Sequence, residues 1–348
     1  MRNLQFLFLM IFSVLRASDQ TLLVDVFLFS NAPFESCHAS TLTETEEGLI
    51  VAYFAGSKEG NSDVSIYLSR QCDNKWQAPV KVIEDWGAPT WNPVLFTMPS
   101  GKILLFYKAG YDPTRWSGFL TSSIDSGQTW SQPFLLPGGI LGPIKNKPLL
   151  LQDGRLLCGS SIQSYLNWAS SFEWTRDEGL TWERSNPIPY FEERRAPFFP
   201  DKKSASKDRP VGVIQPTFWT EDGQHITMLC RSRRIGWICK ATSSDGGRTW
   251  TRAYPTELPN PDSGFDAVRM FDGRIALVYN HSKTKRTPLN LALSIDGGET
   301  WKDVLVLEDG PGSFAYPAII QTQDGLLHIT YTWNRKHIKH IALDPTSL

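Results

Sequence analysis

The sequence has almost no net charge and few long hydrophobic runs. Its 348 residues include 35 Lys and Arg against 36 Asp and Glu, a formal net charge of −1. This balance gives no overall electrostatic attraction to nucleic acid, so we expect no nucleic-acid partner. Beyond the first twenty residues no apolar run reaches the roughly 18 residues that a membrane span requires. With 41% hydrophobic residues, the chain is nevertheless too apolar to be disordered.

Cysteine is scarce, and its spacing gives no support for a metal site. The five cysteines form no CxxC pair and no cluster with histidine at ligand spacing. Because five is an odd number, at least one cysteine is free or pairs with another molecule. Cys230 and Cys239 could face each other across a hairpin centred on Arg234 and Ile235, or could be inert buried thiols. We predict no metal.

The one strongly apolar segment lies at the N-terminus. Residues 1–18 begin with an arginine at position 2, continue with about ten apolar positions, and end with Arg16 and small residues, which is the layout of a secretory signal peptide. We therefore expect residues 1–18 to be removed and the protein to be secreted or periplasmic. Residues 19–348 are expected to form a single domain.

Trp, Gly and Pro are abundant, with 13, 26 and 23 copies, and they favour many short strands joined by tight turns. A turn followed by a β-rich run occurs six times, for example PSGKILLFYKAG and FDGRIALVYNHS. Glycine accepts the positive φ that such turns require. The turn glycines, which are 53, 53, 69, 50 and 52 residues apart, are Gly48, Gly101, Gly154, Gly223, Gly273 and Gly325.

A second motif recurs in phase with the first. It reads SIDSGQTW, TRDEGLTW, SSDGGRTW and SIDGGETW, ending at Trp130, Trp182, Trp250 and Trp301, and a degenerate copy ends at Trp76. The Asp of this Asp box can accept hydrogen bonds from its own turn, while the Trp is expected to pack against the neighbouring sheet. Four copies in register with six hairpins indicate a repeat architecture.

Repeats of about 50 residues with roughly four strands each predict an all-β, six-bladed β-propeller. The run Thr21 to Phe29 precedes the first repeat, so we expect it to complete the last blade. The longest interval holds an insertion, Glu183 to Pro210, that we expect to form an extended loop.

The phase of the repeat predicts which side chains share the face opposite the Asp boxes. That face receives the start of each inner strand and the end of each second strand. The inner-strand starts supply His38, Trp91, Asn92, Lys145, Asn146, Lys147, Gln215, Ser263, Asp266 and Tyr316. The second-strand ends supply Glu59, Asp112, Arg231, Arg233, Arg234, Lys283, Arg286, Trp333 and Arg335. So many cations at one mouth favour an anionic ligand, because guanidinium groups pair bidentately with carboxylates. Trp91 and Trp333 could stack on a sugar or simply pack.

Asp-box repeats on a six-bladed plan resemble the sialidase (neuraminidase) superfamily, in particular its branch of predicted neuraminidases with BNR repeats. The resemblance covers about Thr21 to Asp344. It implies an exo-glycosidase that removes a terminal acidic sugar from a glycan, with three arginines binding the carboxylate, a Tyr nucleophile activated by a Glu, and an acid/base Asp. This chemistry requires no cofactor.

Several positions are similar to the family's site residues. Tyr316, in SFAYPAII, matches the nucleophile, and Arg286, in KRTPLNLALS, matches the third clamp arginine. Arg231, Arg233 or Arg234, in RSRRIGW, matches the second, with Arg234 at the best offset. Glu59, in GSKEGNSDV, occupies the acid/base position.

Two positions depart from the family pattern. The first clamp arginine is replaced by His38 in CHASTL, and the carboxylate expected to activate the tyrosine is replaced by Gln215 in VIQPTF. Because Gln cannot accept a proton, Asp266 in SGFDAV is the candidate base for Tyr316. The expected substrate is therefore sialic acid or another anionic sugar.

The residues leave two other functions open. One is a non-catalytic glycan-binding propeller that has kept the pocket but lost the base. The other is a polysaccharide lyase in which Tyr316 and His38 remove the proton next to a uronate carboxylate. A glycan is the expected partner in all three cases, and the sequence does not indicate an oligomeric state.

Overall fold

The computed structural model describes residues 21–83, 87–164, 167–190 and 211–348. The predicted signal peptide and residues 191–210 of the insertion lie outside this part of the chain, so both remain predictions. Among the described residues, no helix is both long enough and apolar enough to span a bilayer. Apart from one 3-10 turn, Pro345–Ser347, the regular structure of these residues is β-strand, which confirms the all-β class.

The described strands form five hydrogen-bonded sheets. We divide them by the six sequence repeats into blades one to six, numbered in chain order, and blades three and four share one sheet. A leading strand, β1 (Leu22–Phe27), is followed by blade one, with β2 (Ser36–Thr45), β3 (Gly48–Gly56), β4 (Ser65–Cys72), β5 (Lys75–Trp76) and β6 (Val80–Lys81). Blade two contains β7 (Thr90–Thr97), β8 (Ile103–Ala109), β9 (Ser117–Ser123) and β10 (Phe134–Leu135). Blade three contains β11 (Leu149–Leu150), β12 (Leu156–Gln163), β13 (Asn167–Thr175) and β14 (Glu183–Arg184).

The second half of the chain repeats this plan. Blade four contains β15 (Val211–Thr220), β16 (Ile226–Arg233), β17 (Trp237–Ser243) and β18 (Tyr254–Pro259). Blade five contains β19 (Asp266–Arg269), β20 (Ile275–Asn280), β21 (Leu289–Ser294) and β22 (Lys302–Glu308). Blade six contains β23 (Phe314–Gln321), β24 (Leu327–Trp333) and β25 (His337–Leu343).

The last blade is completed by the start of the chain, as predicted. Strand β1 pairs antiparallel with β25, with Val24 opposite Ala342 and Phe27 opposite Lys339. Blades three and four are also linked, because β13 and β15 form a short parallel pair in which Asn167 lies opposite Val211 and Trp168 lies opposite Gly212. These backbone bonds tie elements that are far apart in sequence.

Successive side chains of a strand point to opposite faces of its blade. The apolar side chains of neighbouring blades meet there, so the core lies between the blades. Along β3, Ile50, Ala52 and Phe54 share one apolar cluster with residues of β8, whereas Val51 and Tyr53 belong to a different cluster on the opposite face. Burial of each large side chain contributes about 1.5–3 kcal/mol. Both faces of β3 are therefore buried in apolar clusters between blades.

The Asp boxes have the predicted geometry. Asp125 accepts a hydrogen bond from the Thr129 backbone N–H at 2.9 Å, and hydrogen bonding from Thr129 lowers the pKa of Asp125 to about 2. The following tryptophans pack on the preceding blade, as Trp250 does by stacking on Phe172 at 4.2 Å. The tryptophan of each motif therefore packs adjacent blades together at the face away from the mouth.

Cys230 and Cys239 lie directly opposite each other on β16 and β17. Both are buried free thiols, and burial raises the pKa of Cys230 to about 12. A protonated, buried thiol is inert, so the second of the two sequence readings is the one that the structure supports.

Candidate active site

Bulges in the inner strands aim side chains into the central mouth. Strands β2, β7, β15 and β23 each break register at the same point of the repeat. The residues with positive φ at these breaks are Ala39, Asn92, Gln215 and Tyr316, with φ of 57°, 30°, 55° and 55°. A bulge redirects a side chain, and left-handed backbone at a non-glycine residue costs about 1–3 kcal/mol, so such strain concentrates at functional sites.

Tyr316 occupies the middle of this arrangement and is only 8% exposed. Its phenol oxygen accepts a short hydrogen bond from Nη1 of Arg231. The amide of Gln215 completes a triangle, since Nε2 lies 3.4 Å from the phenol oxygen and Oε1 accepts from Arg231 Nη1 at 3.1 Å. Tyr316, Gln215 and Arg231, predicted to share a site, are therefore in direct contact.

Further cations surround the phenol ring. The guanidinium carbons of Arg286 and Arg231 lie 5.5 and 5.6 Å from its centroid, and Lys145 Nζ lies 5.9 Å away. Burial lowers the pKa of Arg286 and lowers that of Lys145 to about 7. Lys145 also donates to the carbonyls of Phe265 and Pro317, which fixes the backbone on either side of the mouth.

Arg231, and not Arg234, is the arginine of this segment that contacts Tyr316. Arg234 lies exposed in the turn between β16 and β17, whereas Arg231 is 7% exposed and points inward from β16. The offset favoured Arg234, but the strand continues to Arg233, which places the inward-facing position three residues earlier. The remaining candidate, Arg233, stacks on Trp168 at 4.4 Å.

Asp262, which the sequence analysis missed, holds Arg231 in place. Its carboxylate accepts from Arg231 Nε at 2.9 Å and pairs with Nη2 at 2.8 Å. Burial opposes the charge on Arg231, but Tyr316 and Asp262 outweigh it and raise the arginine pKa. The signal that could have found Asp262 is its position in PNPDSG, an acidic group just ahead of an inner strand.

His38 lies beside the tyrosine as an uncharged ring. Its centroid is 4.2 Å from that of Tyr316, and its Nδ1 shares a 2.9 Å hydrogen bond with Thr332 Oγ1. Burial lowers the pKa of His38 well below its usual value, and Arg335, Arg286, Arg231 and Lys145 lower it further. At neutral pH His38 is therefore uncharged and cannot serve as a cationic clamp.

Glu59 and Arg335 form an ion pair at the rim. Their side chains are 35% and 34% exposed, so both remain accessible to a ligand entering the mouth. Both also act electrostatically on Arg286, which places them within the same charged cluster.

Asp266 is not placed to activate the tyrosine. Its Oδ2 accepts from Lys147 Nζ at 2.8 Å and from the Ile319 N–H at 3.1 Å, while Oδ1 accepts from Thr217 Oγ1 at 2.8 Å. These contacts tie blades five, three, four and six together beneath the pocket. The proposed roles of Asp266 as base and of Lys147 in substrate binding therefore do not agree with this geometry.

Other predicted positions support the mouth without facing a ligand. The amide of Asn92 donates to the Ile144 carbonyl, and that of Asn146 donates to the Pro216 carbonyl at 3.1 Å. Trp333 packs on Phe27 and Phe314, which disagrees with a sugar-stacking role. The described residues contain no cluster of acidic, His or Cys side chains that could hold a metal ion.

Comparison with known proteins agrees with this geometry. The model of the BNR repeat-like domain family matches residues 47–329. This chain belongs to that family. Within the sialidase superfamily, the BNR repeat-like chain is 24% identical over 244 residues to a sialidase of Micromonospora viridifaciens, covering 63% of this chain and 34% of the relative. The match thus spans about a third of the length of that curated relative.

Solved structures share the fold of this BNR repeat-like chain. A protein of unknown function from Dyadobacter fermentans superposes with a TM-score of 0.75 at 18% identity, covering 93% of this chain and 98% of that one. The NanB sialidase of Streptococcus pneumoniae superposes with a TM-score of 0.69 at 15% identity, covering 93% and 71%. These likenesses confirm a sialidase-like propeller fold.

Proposed function

We propose that this protein is an exo-glycosidase that hydrolyses a terminal acidic sugar from a glycan. The observation that carries the proposal is the setting of Tyr316, whose phenol oxygen accepts from Arg231 in a pocket also lined by Arg286 and Lys145. Guanidinium groups bind the ligand carboxylate and also stabilise negative charge that develops on the phenol oxygen. The sialidase relative and structural neighbours support this chemistry.

In this reaction Tyr316 attacks the anomeric carbon, the glycosidic C–O bond breaks, and the departing oxygen takes a proton from Glu59, which acts in its protonated form after leaving its ion pair with Arg335. Gln215 cannot take the phenolic proton, so we assign it to the imidazole of His38, whose ring centroid lies 4.2 Å from that of Tyr316, while Arg231 stabilises the negative charge on the phenol oxygen. Water then attacks the anomeric carbon and the C–O bond to Tyr316 breaks. Glu59 takes a proton from this water, and the phenol oxygen recovers its proton from His38. A neutral phenol avoids the repulsion that an anionic nucleophile would meet beside the substrate carboxylate.

The sugar to which the terminal acidic sugar is attached has space to bind beside Arg286. A cavity of about 560 Å³ lies next to Arg286, lined by residues 285–287 and 310–313. Its size is in the range of pockets that bind small ligands.

The test is incubation of purified protein with sialylated and uronate-bearing oligosaccharides, with the products read by mass spectrometry. A hydrolase releases a free acidic monosaccharide, Tyr316→Phe loses about a thousandfold or more of the turnover, and ligand affinity is retained. Tyr111→Phe is the matched control, because Tyr111 is 62% exposed on a loop. Binding without release from any of these glycans would instead identify a glycan-binding module.

A second candidate, elimination on a uronate, is favoured by one observation: Tyr316 touches a neutral His38 and no carboxylate among the described residues. His38 would remove the proton next to the carboxylate, a C=C bond would form as the C–O bond to the leaving group breaks, and Tyr316 would protonate the departing oxygen. The unsaturated product absorbs in the ultraviolet, whereas a hydrolysis product does not. Glu59→Gln would impair hydrolysis but spare elimination.

A further inference from the structure

The turn after β24 is built to hold one arginine over the mouth. Asn334 and Arg335 both have left-handed backbone, with φ of 52° and 61°. The Arg335 carbonyl accepts from the Cys37 N–H at 2.9 Å, and Asn334 exchanges hydrogen bonds with Ser313. Arg335 is therefore anchored next to His38 on one side and just ahead of the tyrosine strand on the other.

The charge of Arg335 acts on His38 and Arg286, both of which lie beside Tyr316. After burial itself, Arg335 has the largest effect in lowering the pKa of His38, ahead of Arg286, Arg231 and Lys145. It also contributes to lowering the pKa of Arg286. Because His38 carries no charge at neutral pH, Arg335, whose backbone is bonded to that of Cys37, supplies a positive charge on the His38 side of the mouth.

We propose that Arg335 supplies the third anion-binding guanidinium of the pocket, in place of the arginine that His38 replaces, with Glu59 as its counter-ion until a ligand carboxylate arrives. This inference rests on the proposed function, in that the pocket binds a terminal acidic sugar. The clamp is then formed by Arg231 from β16, Arg286 ahead of β21 and Arg335 from blade six. Glu59 competes with the ligand carboxylate for the same guanidinium, which selects ligands that carry a strong, bidentate anion.

The experiment measures binding of glucuronic acid, sialic acid and neutral glucose by calorimetry. Arg335→Gln should weaken binding of the acids by about ten- to a hundredfold and leave glucose unchanged, since one charge-assisted fork is lost. Arg335→Lys should recover part of this lost affinity, because it restores the positive charge without the bidentate hydrogen bonding of a guanidinium. Lys336→Gln is the matched control, one residue away in the same turn, and should bind like the wild type.

Glu59→Gln separates a ligand role from a structural one. Loss of the competing carboxylate should tighten binding of the acids several-fold, whereas a pair that only fixed the turn would weaken binding when broken. Circular dichroism and thermal unfolding establish that each variant is folded. Equal affinity of wild type and Arg335→Gln for both acids, or no binding of either acid to wild type, would overturn the proposal.

The clamp and the proposed hydrolysis can be refuted independently of each other. Binding of acids that depends on Arg335, without release of any sugar, would refute hydrolysis and leave the clamp in place. Turnover of an acidic substrate that Arg335→Gln leaves unchanged would refute the clamp alone.

Discussion

The imidazole of His38 and the phenol of Tyr316 lie 4.2 Å apart, centroid to centroid, although 278 positions separate them along the chain. The imidazole is neutral because it is buried among cations. The pair therefore brings an uncharged base to a tyrosine whose neighbouring amide, Gln215, cannot accept a proton. This contact shapes the first prediction.

We expect His38→Asn to reduce turnover by about a hundredfold or more, because the phenolic proton loses its acceptor. Affinity for acidic sugars should change little, since His38 supplies no positive charge at neutral pH. Steady-state rates and calorimetry on the same preparation measure the two quantities. Weaker binding at full turnover would mean that His38 binds the ligand and takes no part in proton transfer.

Asp266→Asn should act on stability more than on chemistry. It leaves the Lys147 ammonium without its carboxylate partner, and breaking such a pair costs about 3 kcal/mol in the free energy of unfolding. Asp112→Asn, which breaks an exposed pair with Arg115, should cost less than about 0.5 kcal/mol. Urea denaturation compares the two variants. A large loss of turnover at unchanged stability would restore Asp266 as the tyrosine's base.

Gly264→Ala should crowd the pocket floor. A methyl group there would lie 3.2 Å from Gln215 Oε1, 3.3 Å from Lys145 Cε and 3.4 Å from Tyr316 Cδ2. Overpacking of this kind displaces the neighbouring side chains, and misplaced reacting groups lower the rate, so we expect about a tenfold fall in kcat/KM. Gly138→Ala is the control, because nothing lies within 4 Å of its added methyl group. Unchanged kcat/KM in Gly264→Ala would place the reacting sugar away from these three side chains.

His340 should make the fold sensitive to acid. It is completely buried in blade six, with Nε2 2.9 Å from His328 Nδ1, and burial lowers its pKa to about 3. The unfolded chain takes up a proton on His340 below about pH 6.5, whereas the folded protein does not until near pH 3, so acid favours unfolding in between. From pH 6.5 to 4.5 this residue removes about 2 kcal/mol of stability.

His340→Gln should therefore lose less stability than wild type over this range. Urea denaturation at both pH values measures the difference, and the contributions of groups common to both proteins cancel. The same pH-dependent loss in the two proteins would show that His340 is protonated in the fold or that its burial is relieved by other changes.

The sequence by itself determined the architecture. Six glycine turns and four Asp boxes in phase predicted the blades, the joining of β1 to blade six and the inward-facing face with Tyr316, Gln215, Arg231 and Arg286. These features are local or periodic. A glycine turn, an Asp that accepts hydrogen bonds from its own turn, and a strand with alternating side chains are each determined by a few consecutive residues. Resemblance to a family then gave each position an expected role.

Only the tertiary structure decided which groups meet at the phenol. The inner-strand bulges leave no glycine signature, because Gln215 and Tyr316 adopt left-handed backbone themselves, held by packing between blades. The choice of Arg231 over Arg234, the pairing of Asp266 with Lys147 and the approach of Arg335 to His38 depend on strands from different blades. Such contacts arise from how blades pack around the centre, where a shift of one residue turns a side chain to the opposite face.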